Sequence, residues 1–298
     1  MRGTQLTALR RAAALTVAAA LLVGLAGCSL GEKSRYAKLL LAAPNALRAS
    51  PGLHLDLAVT STVLDRVGLT GKVPTDPGLD LTGTVDLSHG TAAYSVAGHP
   101  GPRVVFDGFH YYARRPDAAA DDARPWMAVT ATKDLHERLD PLDTPSSLAA
   151  YVLTPVVLID AMGGGLAGSI VRKPTEDVGG VATTPYEANF DIDKALSKAT
   201  RTRYSQTEKD TVSRLLDVVG VKASTLHRGT VWLDAAGVPR RFRLVLREEP
   251  STRVVIAVTL DATFIPGTAP APVEVPDRNA LVSVGSFFQF LRPQVAAP

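Results

Sequence analysis

Between Leu53 and Phe264 the polarity of the chain changes at every second residue, and it does so in two separate blocks. In the first, Leu53, Leu55, Leu57 and Val59 alternate with His54, Asp56, Ala58 and Thr60, and Leu79, Leu81, Val85 and Leu87 alternate with Asp80, Thr82, Thr84 and Asp86. In the second, Val231 and Leu233, then Phe242, Leu244 and Leu246, then Val254, Ile256, Val258 and Leu260 repeat the pattern. Successive side chains of a strand point to opposite faces, so this period builds strands with one apolar and one polar face. Ser88-His89-Gly90, Asp107-Gly108 and Ala236-Gly237 supply hairpin turns between them. A parallel sheet would need helical crossovers between strands, and inside each block there are none, so the strands are expected to pair antiparallel.

Helical segments stand before, between and after the strand blocks. Glu32 to Ala49 carries Leu39, Leu40, Ala43 and Leu47 at helical spacing, with Pro44 as an expected bend. Ser146 to Met162 is apolar except for Asp160 and is expected to stop at Gly163, Gly164 and Gly165 with a flexible turn. Shorter helices are expected from Ile192 to Ala199 and from Thr207 to Val219. Ten or eleven strands follow from the pattern. One sheet of that size must curl, and its apolar face needs the helices near Ser146 and Thr207 as cover. The fold class is therefore α+β, a single curled antiparallel β-sheet with helices over its concave face. Pro266 to Pro276 reads as an extended Pro-rich linker and Asn279 to Leu291 as a final apolar segment.

The first residues have the order of a secretion signal: Arg2, Arg10 and Arg11, then an apolar run from Ala12 to Leu25, then small residues. The run is shorter than the roughly 20 apolar residues of a spanning helix. Leu25-Ala26-Gly27-Cys28 resembles the lipobox of bacterial lipoproteins, which places cleavage between Gly27 and Cys28 and a lipid on the Cys28 thiol. Cys28 is the only cysteine in the chain, so no thiol is left for a disulfide, a metal or catalysis. The charge of +3 is also a property of the signal: three of the 32 basic residues and none of the 29 acidic ones lie in it, leaving 29 against 29 beyond residue 27. A chain so balanced carries no electrostatic footprint for nucleic acid.

Motifs of catalysis are missing. Gly163, Gly165 and Gly168 satisfy the dinucleotide-binding spacing but follow a helix and precede a strand, the reverse of what that motif requires. His54, His89, His99, His110, His136 and His227 are scattered without metal-ligand spacing and read as surface or turn residues. There is no Gly-x-Ser-x-Gly elbow and no phosphate loop. No enzyme activity, cofactor or metal is expected.

A family resemblance rests on several pieces in order. They are the lipobox, a helix ending in Ala-Leu-Arg-Ala-Ser, the strand Leu53 to Thr60, hairpins with Phe106-Asp107-Gly108 and Tyr111-Tyr112, and the apolar mid-chain helix. Thr183 to Phe190 running into Asp191 and Lys194 follows, then Val231-Trp232-Leu233-Asp234 before Gly237 and Pro239. In these the chain resembles the LppX and LprG type of mycobacterial lipoproteins, relatives of the LolA lipoprotein carriers. The resemblance implies an unclosed half-barrel with a hydrophobic cavity for acylated lipids or lipoglycans, carried across or retained in the envelope. It implies an extracytoplasmic, lipid-anchored protein on the periplasmic face of the cell membrane, a monomer whose partners are the lipid, the membrane and a lipid exporter. The expected division is a signal over 1–27, anchor, tether and first helix over 28–50, the half-barrel over 51–265, and the linker and terminal segment over 266–298. Candidate cavity residues are Leu55, Leu57, Leu81, Val85, Val152, Val156, Ile159, Leu215, Val231, Leu244, Ile256 and Val258. The same residues would serve a solid core, in which case the chain is an anchored scaffolding module. A hydrolase is the third reading, disfavoured by the missing motifs.

Overall fold

The computed structural model describes residues 34–50, 52–65, 78–96, 101, 103–107, 110–115, 118–119, 121–130, 155–199, 210, 213, 222, 225–248, 254–267 and 273–282. Residues 40–298 form one compact unit and residues 1–39 another. The expected signal and Cys28, the 146–154 part of the mid-chain helix and nearly all of the Thr207 to Val219 helix lie outside the described residues. Among the described residues no helix is long and apolar enough to cross a membrane.

Among the described residues, thirteen strands make one sheet. The first block gives β1 (Leu53–Asp65), β2 (Leu79–Asp86), β3 (Thr91–Val96), β4 (Val104–Asp107), β5 (His110–Arg114) and β6 (Trp126–Thr130), each paired antiparallel with the next. The second gives β7 (Leu166–Arg172), β8 (Glu176–Val178), β9 (Val181–Phe190), β10 (His227–Leu233), β11 (Pro239–Glu248) and β12 (Val254–Pro266), with β7 and β8 both pairing with β9. A two-residue β13 (Leu281–Val282) runs parallel to β6, the one parallel pairing among the described residues. The segment after Pro266 thus returns to the sheet as an edge strand, where the sequence suggested only a linker and an apolar segment. The blocks meet at β1 and β12, in register from Leu53 opposite Pro266 to Asp65 opposite Val254. The path ends at β13 and β7, which do not pair, so the sheet is open as expected.

Residues 34–48 form α1, Pro155–Gly164 form α2 and Ile192–Ala199 form α3. The helix assignment of α1 continues through Pro44. Asp191 caps α3, accepting the backbone N–H of Lys194 at 2.8 Å. α2 is enclosed: Val157, Leu158, Ile159, Ala161 and Met162 are each 1% exposed or less. Gly163 and Gly164 close its last turn and the helix stops there, as expected, with Gly165 in the turn that leads to β7. A Cβ on Gly163 would stand 2.6 Å from Cγ of Pro44 in α1, and one on Gly164 would stand 3.2 Å from Cα of Ala195 in α3. The glycines let α2 receive the Pro44 ring of α1 on one side and the backbone of α3 on the other, and Arg48 of α1 forms an ion pair with the buried Asp160 of α2.

On the polar face of the sheet, Asp261 of β12 takes two hydrogen bonds from Arg241 at 2.7 and 2.6 Å and two from Arg243 at 2.8 and 2.6 Å. The Arg241 guanidinium lies 5.0 Å from the centre of the Trp232 ring, and the indole N–H donates to Glu176 of β8 at 2.9 Å. Burial by itself raises the Asp261 pKa, but the two guanidinium groups outweigh it and hold the carboxyl below its ordinary value.

Two stability predictions follow from this arrangement. Leu260→Ala removes a fully buried side chain beside the seam and lowers unfolding free energy by about 2–5 kcal/mol in urea titrations, whereas Thr259→Ala on the other face costs under about 0.5 kcal/mol. Because the folded pKa of Asp261 is lowered, its contribution is complete above the ordinary carboxylate pKa near 4 and is lost as pH falls through the folded value. Asp261→Asn is therefore less stable than the parent by roughly 1–2 kcal/mol at pH 7, discounted for the partly exposed arginines, and the gap narrows as pH is lowered below about 4.

Candidate functional site

Alternation gathers the apolar residues of all the central strands on one side, hereafter the inner face. The registers align them in rows across the sheet. One row runs Val96, Leu81, Leu57, Ala262, Phe242, Val231, Tyr186 from β3 to β9. A second runs Leu79, Val59, Leu260, Leu244, Gly229, Ala188, and a third Val104, Tyr94, Gly83, Leu55, Phe264. Every non-glycine residue of these rows is buried, none more than 7% exposed, and no charged side chain occurs in them.

Of the candidate cavity residues, Leu55, Leu57, Leu81, Val85, Val231, Leu244 and Val258 share this face and are buried, and Ile159 is buried in α2. Val152 and Leu215 lie outside the described residues. Val156 and Ile256 are placed on α2 and β12 by their backbones alone.

The lining differs from the aliphatic one expected. Tyr94, Phe190, Phe242 and Phe264 are the largest fully buried side chains, with Phe106 beside them. Tyr94 and Phe106 meet edge to face at 5.6 Å, and Phe190 and Phe242 at 5.2 Å. A low overall aromatic content conceals this concentration, because a composition does not say which residues share a face. Parity could have found Tyr94, since Ala92, Tyr94 and Val96 share a face in the hairpin expected from Gly83 to Ala97.

Polar groups on the inner side are few. The Tyr94 hydroxyl is buried without a hydrogen-bond partner among the described residues. Burial pushes its pKa well above the ordinary value of 10.0, so the group is a neutral hydroxyl. His227 is 1% exposed, with Nε2 3.1 Å from the carbonyl of Lys222. That corrects its assignment to the surface: it begins β10 opposite Phe190, at a position the alternation turns inward. His89 and His54 do sit in exposed polar settings, beside Asp86 and Asp56. His99 and His136 lie outside the described residues.

At one end the inner face meets a cleft of about 560 Å³ between the end of α1, the β2–β3 turn and Val273 of the C-terminal segment. Leu53, Val85 and Leu87 form its apolar floor, and Arg48, Ser50 and His89 stand at its polar side. Asp86 also borders it, but its carboxylate is committed to the turn. It accepts the backbone N–H of Ser88 at 2.9 Å and of His89 at 3.1 Å. Burial alone would raise its pKa, yet hydrogen bonds from Ser88 and His89 prevail and bring it to about 2. Among the described residues no group of three His, Cys, Asp or Glu could hold a metal ion.

No protein-family model matches the chain, and no curated protein matches it. Among solved structures it is similar to the Mycobacterium tuberculosis lipoprotein LppX, at 15% identity and a TM-score of 0.40, over 80% of this chain and 97% of that one. It is similar to LprF from Mycobacterium bovis at 13% identity and a TM-score of 0.38, over 82% of this chain and 97% of that one. A putative outer membrane lipoprotein-sorting protein domain from Vibrio parahaemolyticus is a more distant likeness, with 8% identity, a TM-score of 0.25, and 76% and 89% of the two chains covered.

Proposed function

We propose that the protein is a lipid-anchored lipoprotein of the extracytoplasmic membrane face that holds the acyl chains of a lipid or lipoglycan against the inner face of its sheet, for carriage across the envelope or retention in it. The observation that carries this reading is the inner face itself. Its rows cross the sheet from β3 to β9 without a charged side chain, and one end of it forms the floor of the 560 Å³ cleft. That volume falls in the range of about 300–1,000 Å³ typical of small-molecule sites. An alkyl chain gains by transfer from water to such a wall, about 0.8 kcal/mol for each CH₂ buried. A ligand of this kind needs neither metal nor nucleophile, and the chain offers no motif for either. Leu55, Leu57, Leu81, Val85, Val231, Leu244 and Val258 are the proposed contacts from the sheet, joined by Ile159, by Val152, Val156 and Leu215, and by Ile256.

The amino-terminal pattern supports the anchor. Two or more acyl chains on Cys28 give stable membrane residence, whereas one alone is marginal. A protein so placed meets its lipid at the membrane surface and needs no soluble encounter.

The two halves of the proposal are separable by experiment. In cells fed an alkyne fatty acid, the full chain acquires label and sediments with membranes, while Cys28→Ala acquires none; label on the variant removes the anchor. For the ligand, the chain expressed from Ser29 onward is released into native mass spectrometry. Expected is an adduct of lipid mass, lost under denaturing conditions and restored by incubation with lipid vesicles. A bare polypeptide mass before and after that incubation rejects lipid binding and leaves an anchored protein with a solid core.

A further inference from the structure

The inner face contains a polar atom for which the fold has no use. Tyr94 is 0% exposed, and its hydroxyl finds no hydrogen-bond partner among the described residues. A buried hydroxyl left unpaired costs roughly 1–3 kcal/mol. Phenylalanine would fill nearly the same volume without that cost, so the oxygen is not explained by packing.

The ring is also held in place. Tyr94 lies in the third inner row between Val104 and Gly83. Gly83 allows close approach of β2: a Cβ there would come 2.0 Å from the carbonyl oxygen of Ala93 and 2.8 Å from Cα of Tyr94. The edge of Phe106 then fixes the ring from the β4 side, at 5.6 Å and 75°. Within the third row, from Val104 to Phe264, one neutral hydroxyl is therefore held among apolar side chains, on the face proposed above to receive lipid.

We propose that the Tyr94 hydroxyl donates a hydrogen bond to an ester carbonyl of the bound acyl lipid, so that the protein selects ester-linked lipids over ether-linked ones of the same shape. This rests on the lipid-binding reading and deepens it. The ligand class follows from matching polar groups. A hydrocarbon tail offers the hydroxyl nothing. A phosphate would need a cation, and the inner rows contain none. A sugar would bring several hydroxyls to a row that offers one polar side-chain atom and leave the rest unpaired. An ester carbonyl is one weakly hydrated acceptor at the head of an alkyl chain, which is what one donor among aliphatic and aromatic side chains can satisfy.

The test uses the full lipidated chain, purified in one nonionic detergent and loaded in parallel with a dipalmitoyl diester glycerolipid or its dihexadecyl diether counterpart. Bound fractions are read by native mass spectrometry over a concentration series. The parent chain is expected to favour the diester by roughly 3–10-fold, the range of one hydrogen bond. In Tyr94→Phe that preference falls to about one, through loss of diester affinity with diether affinity unchanged. Without lipid, Tyr94→Phe is expected to melt no lower than the parent, since it removes an unpaired group. Equal binding of the two lipids by the parent, a preference that survives in Tyr94→Phe, or a variant that melts well below the parent would each overturn the contact. Uptake of both lipids alike overturns it while leaving lipid binding intact, whereas uptake of neither removes the lipid reading and this inference together.

Discussion

The pairing of β1 with β12 is the interaction on which the rest depends. The strands of each block pair within the block, several of them through hairpins that cost little entropy to close. β1 and β12 are each 13 residues long and pair along their whole length, although about 200 residues separate them. Without the seam the chain would be two antiparallel meanders, each with a long unpaired edge and an uncovered apolar face. With it, the edges become the short strands β7 and β13, and the longest strands stand at the centre, where their ladders are protected. Loop-closure entropy must be met before that contact forms, so the seam is also the natural late step in folding.

The seam fixes the chemistry of both faces. A shift of one residue between β1 and β12 would turn Leu55, Leu57 and Val59 outward and Asp56 inward. Asp261 guards the register from the other side. It is opposite Ala58 of β1 and Arg243 of β11, and its four hydrogen bonds to Arg241 and Arg243 form only when β11 and β12 are aligned as observed. The charge of Asp261, Arg241 and Arg243 is thereby collected on the outer face, and the inner rows are left without a charged side chain.

Most of this was legible in the sequence, because a period of two is a local property. Every strand expected from alternation is present, in antiparallel order. What alternation cannot show is pairing over long distance or the use of residues without a pattern. β8 is three residues long and β13 two, too short for any period, and both exist through their partners β9 and β6. Gly163 and Gly164 read as a stop because glycine ends helices; that they are seats for Pro44 and Ala195 depends on two helices distant in sequence. His227 looked like a surface residue for the same reason, since only its register against Phe190 turns it inward. Of the residues on the inner face, alternation named the aliphatic ones and Phe242, but not Tyr94, Phe106, Phe190 or Phe264. A count of residues per chain says nothing about how many of them share a face.

Hydrophobicity does not separate a binding wall from a core, since both bury the same residues to the same degree. Defects in packing chemistry do separate them. A core selected for stability alone replaces an unpaired hydroxyl by a hydrogen at almost no change in volume, and Phe106, Phe190, Phe242 and Phe264 show that phenylalanine is accommodated around Tyr94 and along the same face. Tyr94, with its oxygen unmatched and its ring fixed by Phe106 and the closeness of β2, is a defect of that kind, and it is the physical ground on which the inner face is proposed to receive an acceptor.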